Sequence, residues 1–96
     1  MRGLRIVVAD DSVLFREGLV RLLEDAGHDV VAAVGDAVLL RSAVAEHEPD
    51  LAVVDVRMPP GGTDDGAVAA VELRSAWPGT GMLLLSQHVE LRHCLP

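Results

Sequence analysis

Two short apolar runs constrain this chain more than anything else in it. Arg5-Ile6-Val7-Val8-Ala9 runs into Asp10-Asp11, and Leu51-Ala52-Val53-Val54 runs into Asp55. Both are short, β-branched and continuously apolar, so each reads as a strand buried on both faces. Strands of this kind belong to parallel sheets with helices on both sides. Their C-terminal ends share one edge, and ligand sites form there. If the two runs are neighbours, three carboxylates meet at one point. A third run, Met82-Leu83-Leu84-Leu85, ends on Ser86 and adds a hydroxyl to that edge. Convergent carboxylates repel unless a cation sits among them, so the residues themselves point to a divalent-metal site.

The segments between these runs read as helices, which gives the alternation of an α/β fold with a parallel sheet. Ser12 caps a helix carrying Phe15, Leu19, Leu22, Leu23 and Ala26 on one face, and Gly27 ends it. Val30 to Val34 is the second strand. Asp36 caps the next helix, in which Leu40, Ala43 and Val44 share a face, with Pro49 beyond its end. After the third strand comes a Pro- and Gly-rich loop, Met58-Pro59-Pro60-Gly61-Gly62. Thr63 or Asp64 caps a third helix through Ala67, Ala70 and Val71, which ends near Trp77-Pro78-Gly79. Right-handed crossovers place the helices on both faces. The simplest topology sets the first strand between the second and third, with the fourth beyond the third. The carboxylate-bearing strands are then adjacent.

Composition narrows the function. A chain of 96 residues supports one domain, and a half-hydrophobic composition is ample for a core. With only Phe15 and Trp77 as aromatics, that core is built from Val, Leu and Ala. The net charge of −7 argues against gripping nucleic acid or an anionic membrane. No run spans a bilayer, and Met1-Arg2-Gly3 leads into a strand rather than a signal peptide. A lone cysteine, Cys94, excludes an internal disulfide and fits a reducing cytoplasm.

Mg²⁺ takes oxygen ligands in near-octahedral geometry and keeps several waters. Asp10 or Asp11 with Asp55 supplies carboxylates, and a loop carbonyl just after Asp55 supplies another oxygen. An ion held this way suits phosphoryl oxygens. An aspartate beside it can also act as a nucleophile and form an acyl phosphate, to which Ser86 could donate a hydrogen bond.

On these residues the chain resembles a bacterial response-regulator receiver domain. The resemblance rests on Asp10-Asp11 after the first strand, Asp55 followed by Arg57-Met58-Pro59 after the third, and Ser86 after the fourth. The stretch from Asp55 to Pro60, with Leu85-Ser86-Gln87, is most similar to receivers that precede a LuxR-type helix-turn-helix. It covers residues 1–96 as one domain. It implies a flavodoxin-like doubly wound parallel sheet of strand order 2-1-3-4, lacking the fifth strand and fifth helix. The implied function is a cytoplasmic switch in a two-component pathway rather than a turnover enzyme. Asp55 would accept a phosphoryl group from the phosphohistidine of a histidine kinase. Asp10, Asp11 and Asp55 would hold Mg²⁺ with the backbone carbonyl of Arg57, and Ser86 would be the switch hydroxyl. The Arg57 side chain sits where the family tunes the lifetime of the phosphorylated form. Transcription would be regulated through an effector domain absent here, so DNA is reached only through that domain. A homodimer is compatible with this reading, and no membrane is involved.

The departures also carry expectations. Receivers continue to a fifth strand ending in Lys, whereas all eight basic residues here are Arg. The aromatic switch residue of that strand is missing too. An uncovered fourth strand predicts a marginal chain that aggregates or pairs with another chain through that strand.

Several blander or rival readings compete. A single Asp at a strand end ordinarily starts a turn or caps a helix, and Asp11 or Ser12 could do only that. Gly61-Gly62 lacks the Gly-Lys-Ser/Thr continuation of a phosphate loop. His88, His93 and Cys94 have no zinc-finger spacing and read as a solvated tail, while His28 and His47 read as surface residues. A haloacid-dehalogenase-type Mg²⁺ phosphatase is the first functional alternative, but it requires Asp-x-Asp, and Val56-Arg57 follow Asp55. A non-switching receiver remnant that only binds partners is the second.

Overall fold

Apolar runs and amphipathic segments take up the expected alternation in the computed structural model, which describes residues 3–56 and 65–85. The elements are β1 (Arg5–Ala9), α1 (Val13–Asp25), β2 (Asp29–Val34), α2 (Ala37–His47), β3 (Leu51–Asp55), α3 (Asp65–Ala76) and β4 (Gly81–Leu85). Every strand pairing is parallel, and the order is β2-β1-β3-β4. This is the flavodoxin-like order that the sequence predicts, with β1 and β3 side by side. Their register sets Ala9 beside Val54, so Asp10 and Asp55 follow at the same level of the sheet.

The period of two along β1 divides the core. Ile6 and Val8 face α1, where they pack with Val53 and the half-buried Leu19, Val20 and Leu23. Val7 and Ala9 face α2 and α3, where they join Leu40, Val44, Val54 and Leu73. Fully burying an aliphatic side chain contributes roughly 1.5–3 kcal/mol, so β1 and β3 share the hydrophobic stabilisation with the α2 and α3 residues packed on them.

The helix ends follow local chemistry. The Asp36 carboxylate accepts from Leu39 N–H at 2.7 Å, and Ser12 Oγ accepts from Phe15 N–H at 3.4 Å. At the end of α1, Gly27 adopts φ +93°. The His28 and Gly27 N–H groups then donate back to Leu23 and Glu24, which closes the helix as a Schellman motif. α2 ends without a glycine, on Glu48 in the left-handed region (φ 44°), ahead of buried Pro49.

Packing selects the buried face of α3 and corrects the expected face of α1. In α3 the buried side is Gly66, Ala69, Ala70 and Leu73, while Val71 is 71% exposed and Ala67 only half-buried. Spacings of three and four residues put 66, 69, 70 and 73 on one stripe and rotate 71 away from it. In α1, Leu19 and Leu23 meet the sheet, but Phe15 and Leu22 lie on an exposed flank with Leu14. The proposed caps Thr63 and Asp64 lie outside the described residues.

At the N-terminal edge of the sheet, polar side chains tie loops together. Asp50 Oδ2 accepts from Arg5 N–H, Arg5 Nη1 donates to the His47 carbonyl, and Thr80 Oγ1 donates to the Pro49 carbonyl at 2.7 Å. His28, expected merely at the surface, accepts a bond from Leu4 N–H through Nδ1. This network fixes the end of the sheet opposite the carboxylates.

Candidate functional site

Asp10 is the first residue beyond β1, and its backbone still belongs to the sheet. Its N–H donates to the Val34 carbonyl of β2 at 3.0 Å. Its carboxylate Oδ1 accepts from Ser12 N–H at 2.8 Å, an Asx turn that carries the chain into α1. Its carbonyl accepts from Arg16 Nη1, also at 2.8 Å. Asp11 projects from the same turn and is exposed.

Asp55 ends β3 opposite Leu85 of β4. The peptide that follows it is held from two sides. Val56 N–H donates to the Leu85 carbonyl, and the Val56 carbonyl accepts from Gly66 N–H, both at 2.9 Å. The start of α3 therefore sits directly on the backbone that carries Asp55. A Cβ at Gly66 would lie 1.8 Å from the Asp55 carbonyl oxygen, so only glycine permits this approach.

Asp10 and Asp55 are buried, at 1% and 2% exposure, beside the exposed Asp11. One carboxylate oxygen from each of the three lies within 4.8 Å of the others. At that separation two unit charges repel by roughly 3 kcal/mol at an effective dielectric of about 20, and a divalent cation offsets this. The donors are hard oxygens, converging and partly open to solvent, as Mg²⁺ requires. The donor set fits that ion.

The sequence-predicted Asp10, Asp11 and Asp55 are thus brought together. Arg57 and Ser86 lie outside the described residues, as do Met58-Pro59, Gly61-Gly62, His88, His93 and Cys94. Sequence reasoning missed Gly66 and Arg16. A glycine at the start of an apolar-faced helix is a weak hint of close approach, and an Arg five residues after an acidic pair carries no signal without the fold.

Comparison with known proteins agrees with this geometry. Residues 6–95 match the response regulator receiver domain family. Over 87 residues the chain is 42% identical to the "probable transcriptional regulatory protein NarL" of Mycobacterium tuberculosis, covering 90% of this chain and 39% of that protein. It is 34% identical over 84 residues to the oxygen regulatory protein NreC of Staphylococcus epidermidis, covering 86% of this chain and 38% of the relative. The chain therefore spans well under half the length of these relatives. Among solved structures, the signal receiver domain of M. tuberculosis NarL superposes with a TM-score of 0.79 at 41% identity, covering 94% of this chain and 71% of that one. A LuxR-family two-component response regulator from Aurantimonas gives a TM-score of 0.79 at 31% identity, covering 97% and 65%.

Proposed function

This chain belongs to the response-regulator receiver domains, and on that footing we propose that it is a phosphoryl-accepting switch with Asp55 as the acceptor. The observation that carries the proposal is a buried carboxylate at the end of β3 with carboxylate oxygens of Asp10 and Asp11 within 4.8 Å. In this reading Asp10, Asp11 and Asp55 hold Mg²⁺, joined by the Arg57 backbone carbonyl. The bound ion supplies positive charge against the phosphoryl oxygens.

An Asp55 oxygen attacks the phosphorus of a histidine kinase's phosphohistidine. The new P–O bond forms as the P–N bond breaks, and the departing imidazole nitrogen keeps the electron pair and takes up a proton. The product is an aspartyl phosphate. The bonds that flank Asp55, from Val56 to Leu85 and from Gly66 to Val56, restrict its backbone and favour a fixed line of attack. Ser86 donates its hydroxyl to the attached phosphoryl group. The switch is modified once per cycle, acts in the cytoplasm, and controls transcription through an effector domain that contacts DNA.

Acetyl phosphate with Mg²⁺ tests this directly. One phosphoryl group per chain is expected, labile to base and hydroxylamine, and absent without Mg²⁺ or in Asp55→Asn. A base-stable adduct, or one that persists in Asp55→Asn, contradicts the proposal.

A further inference from the structure

The hydrogen bond to the Asp10 carbonyl comes from outside the sheet. Arg16 is half-buried in α1, and its Nη1 reaches back 2.8 Å to that carbonyl. The guanidinium passes beside Gly35, which follows β2. A Cβ at Gly35 would lie 3.0 Å from Arg16 Nη1 and 4.0 Å from the Asp10 carbonyl oxygen. Gly35 does not have the positive φ that demands glycine, since Gly27 is the described glycine that does. What its missing side chain provides is room for the arginine.

We propose that Arg16 and Gly35 form a coupled positioning pair that sets the Asp10 carboxylate in the cation site. Three bonds then fix one residue from three directions: β2 through its N–H, α1 through its carbonyl, and the Ser12 turn through its carboxylate. Releasing the carbonyl lets the Asp10–Asp11 peptide turn, and this shifts the Ser12 N–H that orients the Asp10 carboxylate. Neither Arg16 nor Gly35 supplies a ligand atom. They act through Asp10, as the groups that orient metal ligands do. The inference rests on the cation reading of the site and deepens it.

Arg16→Ala alone mixes two opposing effects, because it removes the anchor and also a positive charge that opposes the cation. Substitution at Gly35 separates them, since it displaces the guanidinium and keeps its charge. The experiment measures Mg²⁺ affinity by calorimetry for the wild-type chain, Gly35→Ala, Gly35→Val, Arg16→Ala and the double variant Arg16→Ala/Gly35→Val. The Ser12 amide exchange rate is followed by NMR in metal-free samples of the same set. Gly35→Val should weaken Mg²⁺ binding about tenfold, the size typical of losing an orienting partner, with Gly35→Ala in between. Ser12 exchange should quicken in the same order. In the Arg16→Ala background, Gly35→Val should change neither quantity. A Gly35→Val affinity within twofold of wild type, or an equal loss with and without Arg16, overturns the pair. A wild-type chain that binds no Mg²⁺ overturns the cation reading instead. The Ser12 amide then decides the pair alone, and unchanged exchange in Gly35→Val overturns it.

Discussion

Gly18 inside α1 and Gly66 in the first turn of α3 both stand where alanine is the better helix former, by up to about 1 kcal/mol in a helix interior. Their surroundings give opposite answers. Around Gly18 a Cβ meets nothing within 4 Å, so Gly18→Ala should stabilise the chain by roughly 0.5–1 kcal/mol. At Gly66 the Cβ would overlap the Asp55 carbonyl at 1.8 Å, and overpacking of this kind costs about 1–3 kcal/mol or more. Gly66→Ala should therefore destabilise despite its better propensity, and it should disturb the Asp55 site as well. Urea midpoints of the two variants check both signs. Equal shifts in the same direction would mean that α3 does not rest on the end of β3.

Among the elements, the helix starts differ in how firmly they are fixed. The Asp36 bond to Leu39 is short, at 2.7 Å, whereas the Ser12 bond to Phe15 is 3.4 Å. Asp36→Ala should cost about 1 kcal/mol, within the usual range for a lost cap, and Ser12→Ala distinctly less. Denaturant midpoints at unchanged m-value measure the difference, and the reverse ranking would contradict the geometry. Strand identity and order were legible in the sequence because Ile6 to Ala9 and Leu51 to Val54 are continuous apolar runs that only central parallel strands accommodate. The Asp10, Asp11 and Asp55 cluster was legible because it follows from where those strands end. The buried face of α3 was not, since its small residues Gly66, Ala67, Ala69 and Ala70 support several stripes, and the packing partner selects one. Arg16, Gly35 and Gly66 were hidden for a related reason. Gly66 and Arg16 meet backbone carbonyls, Gly35 leaves room for the Arg16 guanidinium, and side-chain patterning does not encode such approaches.

At the scale of the molecule, the sheet is well covered at its centre and thinly covered at β4. Among the described residues β4 pairs with β3 alone, and Leu83 and Leu84 are 48% and 43% exposed. Val71, Arg74, Met82 and Leu84 line one open groove beside it, and Leu14, Phe15 and Leu22 form another apolar patch on α1. An exposed apolar strand edge is a template for pairing with another chain. The 96-residue chain should therefore associate with itself as its concentration rises, and Leu84→Lys should weaken that association. Sedimentation velocity across a concentration series reads this, and a monomer at every concentration would contradict it.

Asp55 as the acceptor is tested most directly by locating the phosphoryl group. Borohydride reduces an aspartyl phosphate to homoserine and leaves other aspartates unchanged, so the modified residue can be read directly from peptides. After acetyl phosphate and Mg²⁺, homoserine is expected at position 55 alone. None is expected when Asp10 and Asp11 are both replaced by alanine, since the cation site is then lost. Homoserine at another position, or undiminished conversion of Asp55 in the Asp10→Ala/Asp11→Ala chain, would contradict the assignment of Asp55 as acceptor beside a cation.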